Sequence, residues 1–393
     1  MPAPFPSVHP VYAAMGTTVF ERMSALAREH GAINLGQGFP DDDGPPELRE
    51  AAARALSERS NQYPPMAGIP ELREAVAGFY RATQGLELAP DNVIVTSGAT
   101  EALAAALLAL LRPGDEALVF APAYDAYAPL IRRAGAVPVF VPLAPPHWHY
   151  DRAAIEAALS PRTRLLLFND PLNPAGSVAS GAELAMLAEL CVERGLIALC
   201  DEVWETVRFE GARHVSLLAL PGMAERAIKI GSAGKVFGLT GWKVGWLVAA
   251  PPLAAAVGRA HQFLTFTTPP ALQWAVAEGL GRLDLIEDLR RGWGETRAVL
   301  REALTEAGYT ALPDAATWFT CVDLAASGLA LGDAEFSDRA VREAGVATVP
   351  LSAFTEGGGP TSLVRLCHCK PAPMLREAAA RLGAFRARLL TEA

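Results

Sequence analysis

Residues 228–243 read IKIGSAGKVFGLTGWK, an apolar run that leads directly into a glycine-rich turn carrying two lysines. Residues 228–231 predict a buried strand, and the small residues after them predict a tight connection to the next element. The phosphate-loop pattern GxxxxGK[ST] does not fit, because it needs glycine and a hydroxyl residue where the chain has Lys229 and Val236. Two interpretations of Lys235 and Lys243 stay open: two phosphate contacts, or one phosphate contact and one nucleophile.

Lysine is rare in this chain of 393 residues. It occurs at Lys229, Lys235, Lys243 and Lys370, whereas the other 30 cationic side chains are arginine. An amine can lose its proton and attack a carbonyl group, which a guanidinium cannot do. A lysine retained in such a sequence is therefore a candidate for chemistry, with a solvated surface lysine as the ordinary alternative. The sequence assigns no chemical role to Lys229 or Lys370.

The overall composition is that of a globular protein with a large core. Hydrophobic residues make up 51% of the chain and charged residues 20%, and the net charge is −9. This acidic balance and the lack of basic clusters argue against nucleic acid as a partner. The longest apolar run, residues 102–111, is about half of a bilayer span, and the N-terminus lacks a signal-peptide pattern. We expect a cytoplasmic protein with five reduced cysteines, no membrane association and no metal site.

Short apolar runs alternate with helical segments through the middle of the chain. This alternation predicts an α/β fold with a seven-stranded, mainly parallel sheet that helices cover on both faces. The predicted strands are residues 93–96, 117–120, 137–141, 165–168, 196–200, 228–231 and 244–248. We expect residues 46–290 to form this large domain. Residues 1–45 and 291–393, which include a long helix starting at Gly294, are predicted to form a smaller α+β domain.

Polar residues follow several of these strands, where ligands of open α/β sheets bind. Ser97 to Thr100 lead straight into a helix and indicate an anion site, or a plain helix cap. Asn173 lies between two prolines, which fixes the backbone of a ligand-facing amide or simply makes a turn. Asp201 ends an apolar strand, where a buried carboxylate needs a partner. Arg365 lies within another apolar run and suits a carboxylate ligand. A structural salt bridge is the alternative for both residues.

An anion site, a fixed Asn, a buried acid and an amine nucleophile together match the requirements of pyridoxal phosphate. In their order along the chain and their residue identities, these motifs resemble those of the fold-type I aminotransferases of class I/II. The stretches at residues 34–40, 61–63, 231–235 and 240–245 resemble the branch that contains kynurenine aminotransferase, glutamine transaminase K and bacterial methionine aminotransferase. The resemblance covers nearly the whole chain. It implies an aminotransferase that moves an amino group from methionine, glutamine or an aromatic amino acid to a 2-oxo acid.

The resemblance also implies a role for each site residue. Lys235 would hold the cofactor as a Schiff base and then move a proton at the substrate α-carbon. Asp201 would pair with the ring nitrogen. Arg365 would bind the substrate carboxylate with help from Gly38 and Asn173. The remaining cofactor contacts would come from Gly98, Ala99, Thr100, Tyr124, Asn173, Ser232 and Lys243. Tyr63 would reach the phosphate of the neighbouring subunit, which implies a homodimer with active sites at the interface.

One residue departs from the family pattern, and three rival functions stay open. Trp204 stands where the family usually has a tyrosine that bonds the cofactor ring oxygen, so its effect on the pocket is open. A cysteine-conjugate β-lyase would use the same fold and the same cofactor. A non-enzymatic regulator would need an added DNA-binding segment. A nicotinamide dehydrogenase is disfavoured because no GxGxxG motif follows the early strands.

Overall fold

A computed structural model describes residues 8–209, 211–356 and 359–392. The strands are β1 (Ile33–Asn34), β2 (Val93–Thr96), β3 (Glu116–Ala121), β4 (Val137–Pro142), β5 (Thr163–Asn169), β6 (Ile197–Asp201), β7 (Ala227–Ser232), β8 (Gly245–Val248), β9 (Thr310–Ala311), β10 (Phe319–Asp323), β11 (Val346–Ala347), β12 (Val349–Pro350) and β13 (Leu363–Cys367). They form three sheets. All seven strands predicted between residues 93 and 248 are present, with bounds that shift by one or two residues.

The largest sheet has seven strands in the order β2-β8-β7-β6-β5-β3-β4. Strands β3 to β7 pair in parallel, whereas β8 runs antiparallel to both β2 and β7. Every residue of β2, β3, β7 and β8 is buried, which explains why these strands are largely apolar, with Glu116 on β3 and Lys229 on β7 as charged exceptions. The prediction of a seven-stranded, mainly parallel sheet in an α/β fold is confirmed. Its parallel strands bring their carboxyl ends to one edge.

Helices cover both faces of this sheet, and each face has its own apolar core. The helices are α1 (Pro10–Ala13), α2 (Val19–His30), α3 (Pro46–Glu58), α4 (Pro70–Gln84), α5 (Ala99–Leu110), α6 (Tyr127–Arg133), α7 (Arg152–Ala158), α8 (Gly181–Arg194), α9 (Ala233–Val236), α10 (Pro251–Leu264), α11 (Pro270–Leu280), α12 (Leu283–Glu306), α13 (Asp333–Arg339) and α14 (Ala372–Glu392). Within the described ranges, none of these helices is both long enough and apolar enough to span a bilayer.

There are two smaller sheets, one of which joins the N-terminal segment to the C-terminal region, whereas the other lies within the C-terminal region. Strand β1 pairs in parallel with β11, and the antiparallel sheet β12-β13-β10-β9 carries Arg365 on β13. These elements share an apolar core with α12 and α14. The division into residues 46–290 and residues 1–45 with 291–393 stays a prediction, and α12 runs across position 290 without a break.

The long helix before the small sheet is longer than the sequence predicts. The prediction places its start at Gly294, because glycine weakens a helix interior. In the structure α12 begins at Leu283 and includes both Gly292 and Gly294. Ile286 and Trp293 lie seven residues apart on its buried face, so packing of these side chains outweighs the helix propensity of the glycines.

Candidate active site

A cavity of about 450 Å³ lies at the carboxyl edge of the large sheet, against the sheet that carries Arg365. It brings together almost all of the predicted site residues. Those that line it are Gly38, Gly98, Ala99, Thr100, Tyr124, Asn173, Asp201, Ser232, Lys235, Lys243 and Arg365. Tyr63 does not line it. Its side chain is 84% exposed and packs edge-on against the ring of Phe266, with 5.5 Å between the ring centroids.

Lys235 lies on the short helix α9, directly after strand β7. Its Nζ is 4.7 Å from the ring centroid of Trp204 and 5.1 Å from that of Trp318, and it donates a hydrogen bond of 3.4 Å to the carbonyl of Gly38. Burial lowers the pKa of this amine to about 8. Because the surroundings disfavour the charged form, a substantial share of the amine is neutral near pH 8 and able to act as a nucleophile.

Asp201 ends strand β6 and is 5% exposed. The hydroxyl of Tyr127 donates a 2.6 Å hydrogen bond to Oδ2, whereas Oδ1 is buried without a partner among the described residues. Burial raises the pKa of this carboxyl, and the bond from Tyr127 acts in the opposite direction. The unpaired Oδ1 is therefore an acceptor directed at a ligand that carries a hydrogen-bond donor.

The loop that follows strand β5 is fixed by hydrogen bonds to its neighbours. The side chain of Asn169 donates to the carbonyl of Asp201 at 2.8 Å and accepts the backbone N–H of Asn173 at 2.8 Å. Asn173 Oδ1 in turn accepts a bond from Arg365 at 3.1 Å. With its oxygen occupied in this way, Asn173 presents its amide N–H groups to the cavity.

Arg365 is 3% exposed and lies on strand β13. Besides its bond to Asn173, it donates to the carbonyl of Gly36 at 2.8 Å, and its guanidinium lies 3.8 Å from the ring centroid of Phe319. Its Nε is buried without a partner among the described residues. Burial lowers its pKa to about 10, which leaves the group charged near neutral pH. An unpaired donor on a buried cation fits an anionic ligand such as a carboxylate.

The start of helix α5 and Lys243 face each other across Gly98. No side chain caps this helix end, so the N–H groups of its first turn remain available to a ligand. A Cβ at position 98 would lie 3.2 Å from the Nζ of Lys243, so glycine permits the close approach. Gly98 also has a φ of +80°, which favours glycine. A helix N-terminus beside an ammonium group forms a cradle for an anion.

Several residues of the site are absent from the sequence-based prediction. Tyr127, which bonds Asp201, falls inside a predicted helix and has no motif of its own. The aromatic wall around Lys235 and Arg365 contains Trp204, which the sequence singles out as a departure from the family pattern. Its other members come from distant parts of the chain and are not predicted: Phe20, Trp318, Phe319 and Phe354. Only the tyrosine repeat at 124 and 127 after a strand is a signal that sequence alone could have offered.

Comparison with known proteins identifies relatives along the whole chain. The model of the family described as aminotransferase class I and II matches residues 30–382. A methionine aminotransferase of Escherichia coli is 42% identical over 370 residues, covering 94% of this chain and 96% of that protein. A kynurenine–oxoglutarate transaminase of Dictyostelium discoideum is 32% identical, covering 93% of each. The structure of N-succinyldiaminopimelate aminotransferase from Mycobacterium tuberculosis has a TM-score of 0.92 at 42% identity, covering 96% of this chain and 100% of that one.

Proposed function

The chain belongs to the class I and II aminotransferases and is an amino-acid aminotransferase, and from this premise we propose that its cavity binds pyridoxal 5′-phosphate as the cofactor. The resemblance to the methionine and kynurenine branch is confirmed by the same relatives. The observation that carries the proposal is the arrangement around Lys235. Its partly neutral amine shares one cavity with a buried, half-paired carboxylate and an anion cradle.

The residues present fit this cofactor and an amino acid. The unpaired Oδ1 of Asp201 suits a protonated ring nitrogen, which is a hydrogen-bond donor. The cradle of Gly98, the first turn of α5 and Lys243 suits a phosphate group. The unpaired Nε of Arg365 suits the α-carboxylate of an amino acid. Each of these matches joins a group of the ligand to a group that the folded chain leaves without a partner.

We assign the chemical roles accordingly. When bound, the cofactor supplies an electron sink for the charge that develops at the substrate α-carbon. Lys235 would hold the cofactor through its amine, and once freed by substrate that amine would take the proton from the substrate α-carbon and pass it to the cofactor. Asp201 holds positive charge at the ring nitrogen through Oδ1. Arg365 fixes the substrate by its carboxylate, and Asn173 supports it through the hydrogen bond to the guanidinium.

We further propose that the amino donors have uncharged side chains, as methionine, glutamine and aromatic amino acids do. The walls beside Arg365 support this, since Phe20, Phe319 and Trp204 line the cavity. Asp125 lines the same cavity and opposes the binding of a second carboxylate. Two relatives, named for methionine and for kynurenine, agree with this range of donors. The acceptor is a 2-oxo acid.

We also propose a homodimer with shared active sites, located in the cytoplasm. Tyr63 and Phe263 are 84% and 85% exposed, which is unusual for large apolar rings unless a second surface covers them. All five cysteines are buried and free, as suits a reducing compartment. Mixing subunits tests the shared site. Lys235→Ala and Tyr63→Ala proteins should regain activity when refolded together, since one site of the hybrid has both wild-type residues. Activity that never exceeds the sum of the parents would contradict the shared site.

The cofactor and the reaction are tested together on the purified protein. We expect a yellow protein whose visible absorbance disappears on treatment with borohydride. The cofactor, attached permanently by this reduction, should then be recovered on a peptide that contains Lys235. We expect repeated turnover to a 2-oxo acid product only when an oxo-acid acceptor is present, and no more than one equivalent per active site without it. A protein that stays colourless with added pyridoxal 5′-phosphate would overturn the cofactor assignment. Pyruvate and ammonia formed from a cysteine conjugate without an acceptor would indicate the lyase instead.

The pH dependence of cofactor capture is a direct consequence of the pKa of Lys235. The rate at which cofactor-free enzyme captures pyridoxal 5′-phosphate should rise with pH and level off above about pH 8, because only the neutral amine attacks. An ordinary lysine would place the inflection at about pH 10.4. Stopped-flow absorbance between about pH 6 and about pH 11 measures this, with butylamine as the reference amine. An inflection at the reference value would contradict the low pKa.

Substitution of Gly38 should disturb the carboxylate end of the site. In Gly38→Ala the new Cβ would lie 2.5 Å from Cζ of Phe319, whose buried ring packs on Arg365. We expect a loss of about 1–3 kcal/mol in unfolding free energy and a higher KM for the amino acid. Gly292→Ala is the matched control, because no atom lies within 4 Å of its added Cβ. This helix-interior change should raise stability by about 0.5–1 kcal/mol and leave KM unchanged. If urea unfolding and kinetics showed the same change in unfolding free energy and in KM for both variants, the predicted clash between the added Cβ at position 38 and Phe319 would be refuted.

A further inference from the structure

Lys229 lies inside the large sheet with no exposed surface. Its Nζ forms ion pairs with the carboxylates of Glu202 and Glu205 and lies 4.6 Å from the ring centroid of Tyr80. Burial lowers the pKa of this amine, but the two carboxylates outweigh burial and raise it above the ordinary value. Lys229 is therefore a fixed positive charge in the core, and it takes no part in the chemistry assigned to the cavity.

The ion pairs of Lys229 continue into a buried network. Glu202 also accepts bonds of 2.9 Å from His214 Nε2 and from Ser216, and His214 Nδ1 lies 2.9 Å from Asp170. Burial alone would lower the pKa of His214, yet Glu202 and Asp170 raise it to about 9. The imidazole therefore carries a proton on both nitrogens near neutral pH. The network thus connects the ends of strands β5 and β6 to the middle of strand β7, next to the proposed cofactor-binding residues.

The network has the geometry of a metal site, but an ammonium group occupies its centre. One ligand atom each from Glu202, Glu205 and His214 lie within 4.8 Å of one another. Lys229 pairs with both glutamates, and the remaining contacts of Glu205 are a 2.8 Å bond from Tyr80 and a 2.6 Å bond from Gln84. Three carboxylates thus face two cations, and removal of Lys229 would leave two negative charges without a counter-ion in the core.

Strand β6 and the residue after it lie between Lys229 and the cavity. Its Cα pairs with that of Cys200, so alternation along the strand places Lys229 and Glu202 on one face and Asp201 on the other. Asp201 lines the cavity, whereas Glu202 is fully buried behind it. Burial and the negative charge of Glu202 both raise the pKa of Asp201. A cation paired with Glu202 offsets the second of these effects and fixes the residue next to Asp201.

We propose that Lys229 is a positioning residue, which keeps Asp201 in place and ionised at the ring nitrogen of the cofactor by holding and neutralising Glu202. The inference rests on the proposed function, since it presumes that the ring nitrogen lies at Asp201. Arginine would keep the charge, and methionine would keep the volume without it. Because Lys229 reaches the cavity only through Asp201, its loss should weaken the contact with the ring nitrogen of the ligand and leave the other contacts in the cavity unchanged.

Binding of two ligands that differ at this single atom tests the proposal. Pyridoxamine 5′-phosphate is the first probe, because its amine does not react with Lys235, and its analogue with carbon in place of the ring nitrogen is the second. Calorimetry on cofactor-free enzyme gives both dissociation constants. The dissociation constant of the analogue divided by that of pyridoxamine 5′-phosphate isolates the contact with Asp201. Lys229→Met should reduce this ratio about tenfold, the equivalent of one pKa unit at Asp201. Lys229→Arg should retain the wild-type ratio.

Two further variants separate positioning from general damage. Ser216→Ala removes a neutral hydrogen bond to Glu202 and should keep the ratio. The double variant K229M/E202Q removes both charges of the ion pair and should also keep the ratio. It leaves the net charge of the network unchanged, so it should fold even if Lys229→Met alone fails to. Equal weakening of both ligands by Lys229→Met, or a tenfold lower ratio in the double variant, would overturn the proposal. A wild-type protein that binds neither ligand would overturn the proposed function and with it this inference.

Discussion

Lys235→Arg should lower the rate of amino-group transfer by about 10³- to 10⁴-fold, because a guanidinium neither attaches the cofactor nor accepts a proton at neutral pH. The positive charge is kept, so the loss isolates the chemistry of the amine. The burial that lowers the pKa of Lys235 to about 8 is the reason that the wild-type residue can do both. Release of the 2-oxo acid in a single turnover measures the effect.

Lys243→Arg is the matched control for this variant. Lys243 lines the same cavity but faces the start of α5, where an arginine can also hold a phosphate group. We therefore expect less than a tenfold loss from Lys243→Arg. If Lys235→Arg retained activity comparable to that of this control, Lys235 would not be the nucleophile.

Arg365→Met should lower kcat/KM for amino acids by about 30- to 3,000-fold, the usual cost of removing one partner of a buried, hydrogen-bonded charge pair. The guanidinium lies against Phe319 with an unpaired Nε, and no other arginine is among the described residues that line the cavity. Affinity for the cofactor should change little, because the assigned cofactor contacts lie on the large sheet.

A pair of substrates identifies the carboxylate as the group that Arg365 binds. Wild-type enzyme should strongly prefer methionine to the amine of the same skeleton without its carboxylate. In Arg365→Met this preference should largely disappear, through loss of activity on methionine and not through a gain on the amine. A preference that survives the substitution in steady-state kinetics would assign the carboxylate to another residue.

The chemistry at the strand ends could be predicted from sequence because short motifs carry it. Lys235, Asp201 and Asn173 each follow an apolar run, and the rule for open sheets places such residues together. The cavity contains all three. Their roles remain proposals, as does the contribution of Tyr63 to a second subunit.

The contacts that tune these groups could not be predicted, because they join residues far apart in the chain. Tyr127 lies 74 positions from the Asp201 carboxylate that it bonds. Trp318 reaches Lys235 from outside the large sheet. Lys229 has no role that the sequence predicts and is fully buried in the structure, where Glu202 and Glu205 from the segment after β6 neutralise it. Secondary-structure propensity and hydrophobic periodicity depend only on residues close together in sequence. Such long-range pairings can therefore be identified only in the folded structure.

The scarcity of lysine has a practical consequence for labelling this protein. Lys229 and Lys370 are buried, Lys235 is partly enclosed, and among the lysines only Lys243 is exposed, at the cavity. An amine-reactive dye, cross-linker or activated bead would therefore modify its side chains mainly where the phosphate is proposed to bind. Acylation thus becomes a footprint of cofactor occupancy, and immobilisation chemistry for this protein should target carboxylates instead.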